Sequence, residues 1–103
     1  MIKLIQENYD NLVHLCAQYN VKNLEVFGSV TDESRFNVSG SDIDFIVEFL
    51  PLEPAVHARN YFGLLRGLHD LFKRDIDLVE NRAIKNPYFL ESINKNRQQI
   101  YAA

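Results

Sequence analysis

Apolar residues Ile5, Tyr9, Leu12, Cys16 and Tyr19 recur at steps of four and three, the stripe of an amphipathic helix running from Ile2 to Tyr19. Asn20 to Asn23 break that period, and Leu24-Glu25-Val26-Phe27 reads as a short strand stopped by Gly28-Ser29. Residues Thr31 to Gly40 are polar and predict a surface loop. From Asp42 to Phe49 the period becomes two: Ile43, Phe45, Val47 and Phe49 line one face of a strand, while Asp42 and Asp44 share the other. Leu50-Pro51 ends this strand, because proline cannot donate to a sheet ladder. Pro54 opens the next helix, on which Tyr61, Leu64, Leu65, Leu68, Leu71 and Phe72 follow helical spacing. Gly63 and Gly67 each cost that helix about 1 kcal/mol relative to alanine, a cost that close packing could offset. Asp75 to Val79 gives a third strand. Asn86-Pro87 is a cap-then-proline start for a last helix, with Phe89 or Leu90, Ile93, Arg97 and Ile100 on one face.

The expected order is therefore helix, strand, strand, helix, strand, helix: an α+β domain with a small mixed three-stranded sheet packed against helices. If the first two strands pair antiparallel, Ser29 falls beside Asp42. A helical crossover makes the second and third strands parallel and brings Asp77 next to Asp42 and Asp44. Asp75 shares a face with Asp77 and competes with it; Asp77 is preferred because it sits one step deeper in the strand.

Composition narrows the functional classes. The 103 residues predict one domain, 1–103. A net charge of −3 with no basic block argues against sequence-independent nucleic-acid binding. No run has the length of a membrane helix, and Glu7 and Asn8 interrupt the apolar start that a secretory signal needs, so a cytoplasmic location is expected. Cys16 is the only cysteine, which rules out an intrachain disulfide, and its place on the apolar stripe marks a small buried hydrophobe. His57 and His69 lack ligand spacing for a histidine-based metal site.

What remains is the carboxylate group. Residues two apart on a strand have Cα atoms roughly 6.6 Å apart, so Asp42 and Asp44 can lean toward one shared cation. Ionised carboxylates held this close repel unless a divalent cation neutralises them, and oxygen-only ligands point to magnesium or manganese. A pair of such ions suits in-line displacement at phosphorus. Gly28 permits close backbone approach to a phosphate, and the Ser29 hydroxyl can donate to its oxygens.

Gly28-Ser29, then Asp42-Ile43-Asp44, then Asp77 resemble the three-part signature of the DNA polymerase beta nucleotidyltransferase superfamily, and the short length resembles its minimal (MNT-type) branch. The resemblance runs from Leu24 to about Tyr101. It implies that Asp42 and Asp44 bind two Mg2+ or Mn2+ ions, that Asp77 binds the catalytic one and helps activate the nucleophile, and that Gly28 and Ser29 hold the triphosphate. It also implies an antitoxin paired with a HEPN-domain toxin, transferring AMP from ATP to a tyrosine of that partner. The chain departs from the pattern after the Gly-Ser pair, where Val30, Thr31, Asp32 and Glu33 stand in place of an arginine and a further basic residue or glycine. Arg35, the cation of this loop, is the candidate phosphate contact. Two alternatives stand beside this reading: an antitoxin that neutralises its partner by binding with little or no turnover, and, ranked lower, a small-molecule nucleotidyltransferase of the aminoglycoside-modifying kind.

Overall fold

A computed structural model of the chain describes residues 3–28, 42–94 and 96–103. The first helical stretch is divided. Helix α1 covers Lys3–Glu7 and α2 covers Tyr9–Gln18, with a turn at Asn8 between them. The Asn8 amide donates to the Leu4 carbonyl at 2.9 Å, the local competition for backbone groups that makes asparagine a poor interior helix residue. Ile5, Leu12 and Cys16 of the expected stripe are nevertheless buried.

Strand β1 spans Val21–Phe27, longer at its start than the sequence pattern suggests, and pairs antiparallel with β2, Ile43–Phe49. Helix α3, Pro54–Phe72, then carries the chain to β3, Ile76–Glu80, which runs parallel to β2. The parallel pairing follows because a 19-residue helix is long enough to return the chain to the same end of the sheet. A 3-10 turn at Asn81–Ala83 leads to helix α4, Pro87–Asn94, whose first turn is capped by Asn86 Oδ1 accepting from the Tyr88 and Phe89 amides at 2.9 and 3.3 Å.

The sheet has four strands where three were expected. Residues Gln98–Ala102 form β4, antiparallel to β1, so the order is β3-β2-β1-β4. The last helix accordingly stops at Asn94, and Arg97 and Ile100 are not on it. Ile93 and Ile100 are seven apart, a spacing that fits two helical turns. Pairing with β1 prevails because it satisfies backbone groups that β1 would otherwise leave at an open edge and sinks Ile100 to 3% exposure.

The main core lies on one sheet face, between the sheet and helices α2 and α3. Ile43, Phe45, Val47 and Phe49 enter it from β2, as the alternation predicts, and Leu64, Leu68 and Phe72 enter from α3. A smaller apolar cluster of Phe27, Ile46 and Ile93, joined by Ile84, covers the opposite face under α4. Thus β2 is buried on both faces except at Asp44, which is half-buried, and Glu48, which is exposed. Among the described residues no helix is long and apolar enough to cross a membrane.

Candidate active site

The parallel register of β2 and β3 sets Asp44 directly across from Asp77, and adjacent strands lie about 4.8 Å apart. Asp42 sits one residue before β2, exposed, and its charge acts on Asp44. Asp75 lies outside β3. Its carbonyl accepts from the Ile43 amide at 3.2 Å, and Asp77, not Asp75, is the cross-strand partner of Asp44.

Asp44 is half-buried, and its carboxyl is pushed up from the usual value to about 6, first by burial and then by the charges of Asp77 and Asp42. On the other side Phe27 is the β1 residue paired with Asp44, and Gly28 follows it. Gly28 has φ +76°, and a Cβ at that position would stand 2.9 Å from Asp44 Oδ2. Both the backbone conformation and the close approach of the carboxylate exclude a side chain here. Ser29 and Arg35 lie outside the described residues.

Asp42, Asp44, Asp77 and Gly28 are therefore brought to one end of the sheet. Among the described residues, however, no three His, Cys, Asp or Glu side chains close on a point that could hold a metal ion. The fold supplies adjacency and like charge, with Asp44 half-buried and both Asp42 and Asp77 open at the surface.

The match to the family model for the polymerase beta nucleotidyltransferase domain extends over residues 10–103. The chain belongs to that nucleotidyltransferase family. Within the family it is 37% identical over 82 residues to a protein of Methanocaldococcus jannaschii provisionally named a protein adenylyltransferase, an alignment covering 80% of this chain and 79% of that one. Its fold is also that of a chain in a toxin–antitoxin complex determined with AMP-PNP, at TM-score 0.66 and 19% identity over 93% of this chain and 74% of the other. A minimal nucleotidyltransferase superposes at TM-score 0.63 with 24% identity, covering 93% and 94% of the two chains. A chain of the complex between tri-AMPylated Shewanella oneidensis HEPN toxin and MNT antitoxin matches at TM-score 0.63 with 19% identity, covering 95% and 72%.

One residue beside the candidate site has a role the sequence pattern hides. Arg97 follows α4, and its Nε and Nη2 donate to Glu25 Oε2 and Oε1 of β1 at 2.6 and 2.8 Å. The same guanidinium reaches Asn94 Oδ1 at 3.1 Å and Asn81 Oδ1 at 2.9 Å. Glu25 shares a sheet face with Phe27, so this bidentate pair fastens α4 over the face that bears Asp44 and Asp77. Phe89 of α4 completes the contact, edge-on to the Phe27 ring with centroids 6.0 Å apart. The partners are 72 residues apart, and neither residue type announces the pairing in the sequence.

His57 is paired elsewhere. Its Nε2 contacts Glu80 Oε1, and Arg82 Nη2 lies 3.1 Å from the same nitrogen. This cluster stands where β2 and β3 end, away from the carboxylates at their beginnings.

Proposed function

We propose that this nucleotidyltransferase moves the AMP group of ATP onto a tyrosine hydroxyl of a HEPN-domain toxin and so acts as its antitoxin. The observation that carries the reading is the Asp44–Asp77 cross-strand pair set against Gly28, with Asp42 alongside. These groups offer only oxygen ligands, and the burial and repulsion that lift Asp44 are what a hard divalent cation would offset, so Mg2+ or Mn2+ fits the residues present. Asp42 and Asp44 would hold two such ions and Asp77 would share the catalytic one; when bound, the cations would neutralise phosphate charge.

The chain's own residues do the rest. Gly28 allows the backbone to approach the triphosphate, Ser29 donates to its oxygens, and Arg35 adds a positive charge. Asp77 takes the phenolic proton as the tyrosine oxygen bonds to the α-phosphorus. The bond from that phosphorus to the bridging oxygen breaks, and pyrophosphate leaves with its electron pair. Support comes from the solved complexes in which a toxin and an antitoxin stand together, one with its HEPN toxin tri-AMPylated, and from the provisional name of the Methanocaldococcus relative.

The open arrangement of the three carboxylates favours a second reading, an antitoxin that masks its partner with little turnover. One experiment separates the two. Incubation with labelled ATP, Mg2+ and the HEPN-domain protein of the same genome should place label on a tyrosine, and Asp44→Asn or Asp77→Asn should reduce it by at least about 100-fold. Undiminished neutralisation of the toxin by both variants, with no label in the wild type, would establish masking instead.

A further inference from the structure

Helix α3 buries Leu64, Leu68 and Phe72 and turns a different arc outward. At about 100° per residue, Arg59, Phe62, Arg66 and His69 fall within roughly 80° of one another, an exposed stripe about 15 Å long, and Lys73, the left-handed residue that ends the helix, is exposed beyond it. Phe62 is 65% exposed at its centre. It forms a ridge between two shallow hollows of about 420 and 460 Å3: one reaches back to Tyr19, the other runs to Leu65 and to Ile76 at the start of β3. Neither Arg59 nor Arg66 makes an ion pair among the described residues. A cationic stripe centred on an aromatic ring that is mostly exposed and meets the Tyr61 ring edge-on, centroids 5.2 Å apart, in a chain of net charge −3, is a local inversion of sign with the composition of an interface anchor.

We infer that this stripe docks an acidic, apolar-centred surface of the acceptor protein and guides that protein to the carboxylates. The inference rests on the reading of the chain as an enzyme acting on a protein. Charge complementarity names the occupant: glutamates or aspartates opposite Arg59, Arg66 and Lys73, flanking an apolar side chain or hollow for Phe62. Three permanent cations on and just beyond this stripe, with Asp70 and Asp75 beside them, are too sparse a track for a phosphodiester backbone. The stripe also leads to the reacting end, because Asp75, which lines the second hollow, is two residues from Asp77.

The test uses the full chain with Phe62→Ala and with Arg59→Glu plus Arg66→Glu, exposed positions whose replacement should leave the melting temperature unchanged. Calorimetry against the HEPN-domain protein of the same genome should show Kd weakened about tenfold to a hundredfold in each variant, with the charge reversal losing more at low salt. AMP transfer should show a raised acceptor KM with kcat retained at saturation. Wild-type affinity in both variants, with labelling intact, overturns the docking surface and leaves the function standing. If the wild type neither binds nor labels that protein, the proposed function fails. The surface is then read with a synthetic amphipathic helix bearing glutamates on both sides of a leucine row: its binding, lost in both variants, upholds the stripe, and absence of binding overturns it. Two further outcomes also overturn it: self-association of the wild type abolished by Phe62→Ala, and binding of single-stranded RNA abolished by the charge reversal.

Discussion

Gly28 and Asp44 are fitted to each other. An alanine at Gly28 would have to hold φ +76° at a cost of about 1 to 2 kcal/mol and would press on Asp44 Oδ2 from 2.9 Å. Gly28→Ala should therefore melt lower by about 4 to 8 °C per kcal/mol in a thermal scan, and an unchanged melting temperature would contradict the described turn. Asp44 works in the opposite direction. Its folded carboxyl titrates at about 6, above the ordinary 3.8, so the folded state holds the proton more tightly than the unfolded chain. That stabilisation is fully present below about pH 4 and is lost as pH rises through 6; above this the ionised group opposes folding by about 1 to 3 kcal/mol. Asp44→Asn should thus melt higher than the wild type at pH 8 in metal-free buffer and lose that advantage at pH 4. Equal differences at both pH values would refute the assignment. The cost at Asp44 comes from burial and from the charges of Asp77 and Asp42 beside it.

Strand β4 and the shortened α4 depart from the sequence pattern because long-range partners outweigh local periodicity, whereas the break between α1 and α2 at Asn8 is local. The face of β2 was legible because Ile43, Phe45, Val47 and Phe49 fill every second position, and the start of α4 was legible because Asn86-Pro87 carries its own capping chemistry. Strand β4 was not, since Ile100 fits a helical step from Ile93 and only the exposed edge of β1 decides otherwise. Arg97 was misplaced with it, for its partner Glu25 is distant in sequence. The carboxylates of the candidate site could be read from their spacing, whereas their incomplete closure depends on side-chain directions that spacing does not encode. Between α2 and α3 the two helical glycines make close approach possible, yet they differ. A Cβ at Gly63 would run into the Tyr19 ring, a rigid group whose backbone carbonyl is held by Asn60 at 3.0 Å. At Gly67 it would meet the tip of Leu15 at 2.6 Å, a terminus that can rotate. Gly63→Ala should cost about 1 to 3 kcal/mol, while Gly67→Ala should be near neutral because its gain in helix propensity offsets the shift. Denaturant titration of both variants distinguishes them, and equal losses would show that the helices adjust as a unit.

Across the molecule, protonation and cation binding at the carboxylate end must be linked. A divalent ion held by Asp44 and Asp77, as proposed, would favour the ionised carboxylate and oppose the burial and repulsion that raise Asp44 to about 6, so its binding would release a proton whenever the pH lies near or below that value. Because such an ion would bind the folded chain and not the dispersed carboxylates of the unfolded one, it would also stabilise the fold, by about 2.7 kcal/mol when present at a hundred times its dissociation constant. The two effects multiply. At pH 8 addition of Mg2+ should raise the melting temperature clearly and remove the handicap of the wild type relative to Asp44→Asn. At pH 5 the same addition should do much less, since about tenfold more Mg2+ is then needed for each unit below the Asp44 value, and chelation should reverse the gain at either pH. The shift should also vanish in Asp77→Asn, which retains Asp44 but removes its cross-strand partner. A Mg2+ shift of equal size at both pH values, or one that survives in Asp77→Asn, would place the cation away from this end of the sheet.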